Sequence, residues 1–214
     1  LVGETEAFLR AAGDYGAGHL RVSSVLPFFI VDIVTVFREH YPLIKISVSS
    51  GNSATSLQRL LTYESDVGVL SDHDPDHRLY TRVHDSHFIV AIVSSDHPWA
   101  TRESISITEL HDQPMVMREV GSNTRSAFES AANAAGVSPN IVMDIESGEA
   151  VREAVARGHG IGVYGELALP SDPRLKALQF TDAEMKVNRY LACLHERKNE
   201  FLVEAFFDVA TRAR

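Results

Sequence analysis

Residues 18–53 read GHLRVSSVLPFFIVDIVTVFREHYPLIKISVSSGNS, and the pattern of that stretch decides the fold class. LRVSS (20–24) has the composition of a short strand. PFFIVDIVTVFREHY (27–41) then sets Phe29, Ile33, Val36 and Phe37 at helical spacing. KISVS (45–49) alternates as a second strand. Strand, helix and strand in this order make a βαβ unit, whose crossover helix packs back onto the sheet.

The alternation continues along the chain. SATSLQRLLTYE (53–64) is amphipathic through Leu57, Leu60 and Leu61, and DVGVL (66–70) is a short apolar strand of the buried kind. FIVAIV (88–93), PMVMR (114–118), IVMDI (141–145) and GIGVY (160–164) are further strands. The helices TRSAFESAANAAG (124–136) and EAVREAVARG (149–158) lie between them. LKALQF (175–180), VNRYLACLH (187–195) and a helix in EFLVEAFFDVATR (200–212) complete the chain. The expectation is an α/β fold of parallel βαβ units with helices on both sheet faces. No Pro/Ser-rich linker separates domains, so the crossings fall on extended segments, FIVAIVSSDHPW (88–99) and the residues after GIGVY. Subdomain I is then 19–88 with 166–214, and subdomain II is 89–165.

Composition narrows the function. The 214 residues include 29 acidic and 20 basic side chains, a net charge of −9. Such a balance argues against a nucleic-acid-binding surface in this chain, because neutralising phosphates takes a basic face. Hydrophobic residues make up 44%, ordinary for a globular protein, and no apolar run is long enough to span a membrane. A single cysteine, Cys193, excludes an internal disulfide and suits a reducing, cytoplasmic compartment. The chain opens without Met in GETEAFLRAAGDYGAG (3–18), which reads as the end of a helix stopped by Gly16 and Gly18 and implies a segment upstream.

The chemistry lies at the strand-to-helix junctions. Small hydroxyl and amide residues cluster there: Ser23 and Ser24; Ser49, Ser50, Asn52, Ser53 and Thr55; Ser122, Asn123 and Thr124; and Ser147. Ligands of open α/β sheets bind outside the carboxyl ends of the strands, where helix N-termini favour anions. Arg118 and Arg125 flank the third junction. Helix capping accounts for one such residue per helix, and several of these junctions hold more than one. The clusters point to a small-anion site.

Other constellations fail. SDHDPDHR (71–78) brings His73 and His77 among aspartates, but Pro75 denies them a shared helical face, so the segment reads as a surface loop rather than a metal site. No GxSxG elbow is present, and Cys193 sits in an apolar strand as an inert thiol. GHGIG (158–162) falls between helix and strand, the wrong order for a dinucleotide loop, and Gly158 is better read as a helix C-cap. Nothing distinguishes Glu146 and Glu149 as an acid–base pair. No catalytic residue, metal set or cofactor motif is expected.

Several ordered motifs carry a resemblance: residues 18–53 ending the helix in Tyr41 and Pro42, the aspartate-led DVGVL, the SDHPWA turn (95–100), REVGSNTR (118–125) and ESGEAVREAVARGHGIGV (146–163). Together they look like the effector-binding domain of a LysR-type transcriptional regulator, over roughly residues 18–180. The resemblance implies a fold like type 2 periplasmic binding proteins, with two α/β subdomains, two crossover strands and an effector between them. It implies that residues 1–18 end a linker helix, that DNA binding belongs to an upstream helix-turn-helix, and that the chain forms dimers or tetramers. Effector contacts would come from Ser23, Ser24, Asn52, Ser53, Arg118, Ser122, Thr124 and Ser147. GNS, REVGSNTR and SGEAVREAV also resemble a subgroup associated with 2-aminoethylphosphonate metabolism, in which an arginine stands where this chain has Gly148. That departure removes a cation suited to a phosphonate. The expected function is non-catalytic sensing of a small anion such as a phosphonate, phosphate or sulfate. The competing readings are a transporter's solute-binding protein and an enzyme acting on a bound phosphate group.

Overall fold

The structure, a computed structural model, describes residues 18–25, 27–72 and 76–212. The linker-helix reading of residues 1–17 and the loop reading of His73 and Pro75 fall outside the described residues. The chain divides into unit 1, residues 1–84 with 189–214, and unit 2, residues 85–188.

Unit 1 is built on β1 (His19–Ser24), β2 (Lys45–Ser50), β3 (Val67–Ser71) and the second half of β10 (Lys186–Leu194), in the order β2-β1-β3-β10. β1 runs parallel to both β2 and β3, and β10 is antiparallel to β3. One face of this sheet is covered by α1 (Pro27–His40) and α5 (Phe201–Arg212). Leu20 and Val22 of β1 meet Ile30, Ile33 and Phe37 of α1 and Phe206 of α5 there. Each fully buried side chain of this size stabilises by about 2 kcal/mol. α1 is rich in β-branched residues of modest helix propensity, so this packing, rather than propensity, holds it. It stops at His40 because Tyr41 precedes Pro42, which disfavours helical backbone at the residue before it. On the other face α2 (Ser53–Leu61) packs Leu60 against Leu70 and Ala192. β3 is therefore buried from both sides, as its unbroken apolar sequence implied.

Unit 2 contains β4 (Leu79–Ser94) over most of its length, β5 (Ser104–Ile105), β6 (Pro114–Arg118), β7 (Asn140–Ile145), β8 (Ile161–Gly165) and β9 (Leu175–Phe180). β6 pairs parallel with β7 and β8, whereas β4 pairs antiparallel with β8 and β9. α3 (Asn123–Ala134) places Phe128 and Ala132 into one core with Met115, Met117, Ile161 and Val163. α4 (Gly148–Ala156) lies on the opposite face, where Val155 meets Gly162.

Two expectations change. The all-parallel arrangement gives way to a mixed sheet, because β4 and β10 return through the fold antiparallel to their neighbours. The chain crosses between units within β4 and again within β10 rather than directly after β8, so residues 166–188 belong to unit 2. A contact pattern, not a local signal, decides that boundary. GHGIG takes the role of a connector: Gly158 has φ +78° past the end of α4, and a side chain on Gly160 would strike the Pro114 carbonyl at 2.6 Å.

Candidate functional site

In unit 1 the junction residues are largely bound up in the fold. Asn52 is the N-cap of α2, and its Oδ1 accepts the Thr55 backbone N–H at 2.9 Å and the Thr55 hydroxyl at 3.0 Å. The Ser53 hydroxyl donates to the Ser71 carbonyl at 2.9 Å and accepts the Ser71 N–H at 3.0 Å, tying the start of α2 to the end of β3. Ser24 is fully buried at the end of β1, and its carbonyl accepts the Gly51 N–H at 3.3 Å. Ser23 is also fully buried, and its hydroxyl makes no hydrogen bond; it faces inward, 3.5 Å from where a side chain on Gly68 would begin.

Asp66, which leads DVGVL, is a structural anchor. It accepts the Arg21 backbone N–H at 2.7 Å, Arg21 Nη2 at 2.6 Å and Arg197 Nη1 at 2.6 Å. Burial raises its pKa, but the hydrogen bonds from Arg21 and Arg197 outweigh that and hold the carboxyl below the usual range. Cys193 lies in the apolar core of the same unit, and burial pushes its thiol up to about 11. It is no nucleophile at neutral pH.

The sequence reading placed its cations in unit 2 alone, yet unit 1 holds a buried arginine. Arg189 is 3% exposed and stacks its guanidinium over the Phe29 ring at 4.0 Å, while His84 meets the same ring edge-on at 4.9 Å. The signal was present: Val187, Arg189, Leu191 and Cys193 alternate along β10, so a charge occupies an inward register.

Unit 2 is arranged differently. Ser122 is the N-cap of α3 and is buried, but its hydroxyl makes no cap hydrogen bond. Arg118, at the end of β6, gives Nε and Nη2 to Glu119 at 2.8 and 3.1 Å, while its Nη1 lies 3.4 Å from where a side chain on Gly148 would begin. Arg125 is committed elsewhere, with Nε to Glu129 at 2.7 Å and Nη1 to the Arg118 carbonyl at 2.8 Å and to the Asp144 carboxylate. It braces α3 against β6 and β7. Thr124 is half-buried in the first turn of α3. Ser147 caps α4 by accepting the Ala150 N–H at 3.3 Å and donates to Glu149 Oε2 at 2.7 Å.

Two residues beside this cluster were not singled out from sequence. Tyr164, at the end of β8, is 5% exposed, and its hydroxyl would lie 2.9 Å from a Gly148 side chain. Arg152 follows Gly148 by one helical turn, so the apolar stripe Gly148, Val151, Val155 of α4 carries a cation within it. Apart from the Arg152 side chain, which acts on it both as a hydrogen-bond donor and as a charge, the Tyr164 hydroxyl has no partner. Burial raises the Tyr164 pKa and keeps the phenol protonated as a donor. Hydrogen bonding from Ser147 and the fields of Arg118 and Arg152 hold the Glu149 carboxyl below its ordinary value despite opposing burial. Arg118, Gly148, Arg152 and Tyr164 thus make a compact, donor-rich corner. Among the described residues no cluster of three or more His, Cys, Asp or Glu could hold a metal ion, and no helix is long and apolar enough to cross a membrane.

Comparison with known proteins places these junctions in context. The pattern describing the LysR substrate binding domain matches residues 14–214. The HTH-type transcriptional activator CmpR of Synechocystis is 28% identical over 196 residues, covering 89% of this chain and 64% of that protein. The regulatory domain of Synechocystis CcmR, solved in complex with 2-PG, superposes with a TM-score of 0.82 at 26% identity, over 91% of this chain and 96% of that one. The effector-binding domain of QuiR, solved with shikimate, shares the fold at TM-score 0.82 and 19% identity, over 92% of this chain and 96% of that one. The chain spans about half to two-thirds of the length of the curated relatives it matches.

Proposed function

Since the chain belongs to the LysR substrate-binding-domain family, with a periplasmic-binding-protein-like α/β fold, we propose that it is the sensing module of a transcriptional regulator and binds a small anionic effector at the strand-end junctions. The observation that carries this reading is the uncommitted donor set of unit 2. A buried N-cap serine whose hydroxyl makes no cap bond, an arginine with one nitrogen beside Gly148 and the glycine itself are more than helix capping requires. Related regulatory domains have been solved holding 2-PG and shikimate, which supports a small oxygen-rich acid as the ligand class here. The 2-aminoethylphosphonate subgroup belongs to the same class of candidates. At Gly148 the cation of that subgroup is missing, and Arg118 and Arg152 supply positive charge at the same corner.

In the whole protein, this module would act on DNA through an upstream helix-turn-helix, in a cytoplasmic dimer or tetramer. The effector would bias one conformational state by binding it better than the other. The curated relatives are named as transcriptional regulators, which favours this reading over a transporter's solute-binding protein or an enzyme. Calorimetry against inorganic phosphate, sulfate, 2-aminoethylphosphonate, 2-PG and shikimate tests it. The expected result is submillimolar binding of at least one acid with no chemical turnover, and flat traces throughout would overturn it.

A further inference from the structure

The sheet of unit 2 opens beside β4. β9 pairs with β4 as far as Leu178, opposite Ala91, and then shifts to β5, with Gln179 and Phe180 opposite Ser104 and Ile105. The chain rejoins β4 only at Met185, whose carbonyl accepts the Ile89 N–H at 2.9 Å. Between these points it is held on the β5 side. The Thr181 N–H bonds the Ile105 carbonyl at 3.0 Å, and Asp182 accepts the Ile107 N–H at 2.8 Å. The gap left beside β4 is a cavity of about 560 Å³, lined entirely by residues of unit 2. That volume lies within the usual range of small-molecule sites.

We propose that this cavity is a second ligand pocket, separate from the strand-end junctions, and that it takes a small organic cation: an ammonium or guanidinium group on an apolar stem. The lining supplies both halves of that recognition. Ile89 and Met185, buried in the core of unit 2, give it an apolar floor beside Phe180 and Ala183. Phe88 also lines it and is 41% exposed, so its ring is open to a ligand. The charge is of one sign. Asp182 and Glu184 line the cavity, and none of the lining residues is basic. Hydrogen bonds from the Ser106 hydroxyl and the Ile107 N–H hold Asp182 ionised. Glu184 is exposed and forms an ion pair with no described residue, so its charge is available. An anion would be repelled by both carboxylates, whereas a cation gains from them and from an aromatic face. The inference does not rest on the effector reading, because β4 lies between this cavity's β9 and the β8 that carries Tyr164.

The test uses the full chain carrying ¹³C at its methionine methyl groups. Of its four methionines, Met115, Met117, Met143 and Met185, only Met185 lines the cavity, and Met185→Leu assigns its signal. Phenethylammonium and agmatine are titrated, with 3-phenylpropionate as an anion of similar shape. Both cations should shift the Met185 methyl, less so in high salt, and the anion should not. Glu184→Gln should weaken phenethylammonium by about two- to fivefold, and Phe88→Leu by about threefold. Melting temperatures check that these two exposed positions leave folding intact. A silent Met185 methyl, an equal shift with 3-phenylpropionate, or affinities unchanged in both variants would overturn the pocket. A shift produced by a capped Arg-Leu-Arg tripeptide while both amines stay silent would overturn the small-ligand assignment in favour of a peptide surface. None of these outcomes touches binding of acids at the junctions, and failure of every acid there would leave the Met185 response standing.

Discussion

The two units carry the same kind of residues at their strand ends and use them in different ways. In unit 1, Asn52 caps α2 and Ser53 is bonded twice to Ser71. In unit 2, Ser122 occupies the corresponding kind of position, an N-cap, yet its hydroxyl caps nothing. A serine or asparagine at a helix start is therefore uninformative until its hydrogen bonds are counted. The cations differ too. Unit 1 buries Arg189 against an aromatic ring and spends Arg21 and Arg197 on Asp66, whereas unit 2 leaves Arg118 Nη1 beside Gly148.

The contrast predicts that substitutions in unit 1 register as lost stability and those in unit 2 as lost binding. The largest effect is expected at Asp66. Asp66→Ala leaves Arg21 and Arg197 without their shared carboxylate, and chemical denaturation should show a loss of about 3 kcal/mol. A loss under 1 kcal/mol would mean that the cluster is a surface ornament worth what exposed pairs are worth.

The same carboxyl sets an acid limit. Its folded pKa lies below its unfolded value near 3.9, so the stability it contributes is fully present above about pH 4 and is lost as pH falls through the folded value. Melting curves from pH 7 to pH 2 should fall more steeply below pH 4 for wild type than for Asp66→Asn. Equal slopes would remove Asp66 from the acid transition.

Next in size is Ser53→Ala, which strips both hydrogen bonds to Ser71 and should cost about 1–2 kcal/mol. Asn52→Ala removes a formed cap and should cost about 1 kcal/mol by the same measurement. Ser122→Ala is the sharpest discriminator because the smallest stability effect is expected there. With no cap bond to lose, it should stay within about 0.5 kcal/mol of wild type while weakening whichever acid binds. A cost near that of Asn52→Ala would erase the distinction between the units.

Much of this fold was legible in residue order. The strand–helix–strand of 18–53, the buried DVGVL and most of the helices lie within a residue or two of their expected bounds, while the helix expected over 53–64 ends three residues early, at Leu61. β4 extends back to Leu79, well before the expected start at Phe88, because LYTRVHDSH alternates too weakly to announce a strand. Of the proposed site, Arg118 and Ser122 were visible in a junction that holds more polar residues than one cap needs. Arg125, equally visible, is consumed by Glu129, Asp144 and a carbonyl, which no local pattern reveals.

The order of residues alone determined most of the helices and strands, because period and turn chemistry are local properties of the chain. It also determined that Cys193 is buried and inert, since an apolar strand on both sides leaves a thiol nowhere else to go. Tertiary structure alone decided which donors are spent. Ser53 meets Ser71 across 18 residues, Asp66 meets Arg197 across 131, and Tyr164 of β8 reaches Gly148 of α4. A hydrogen bond depends on distances between groups far apart in sequence, and folding is what sets those distances.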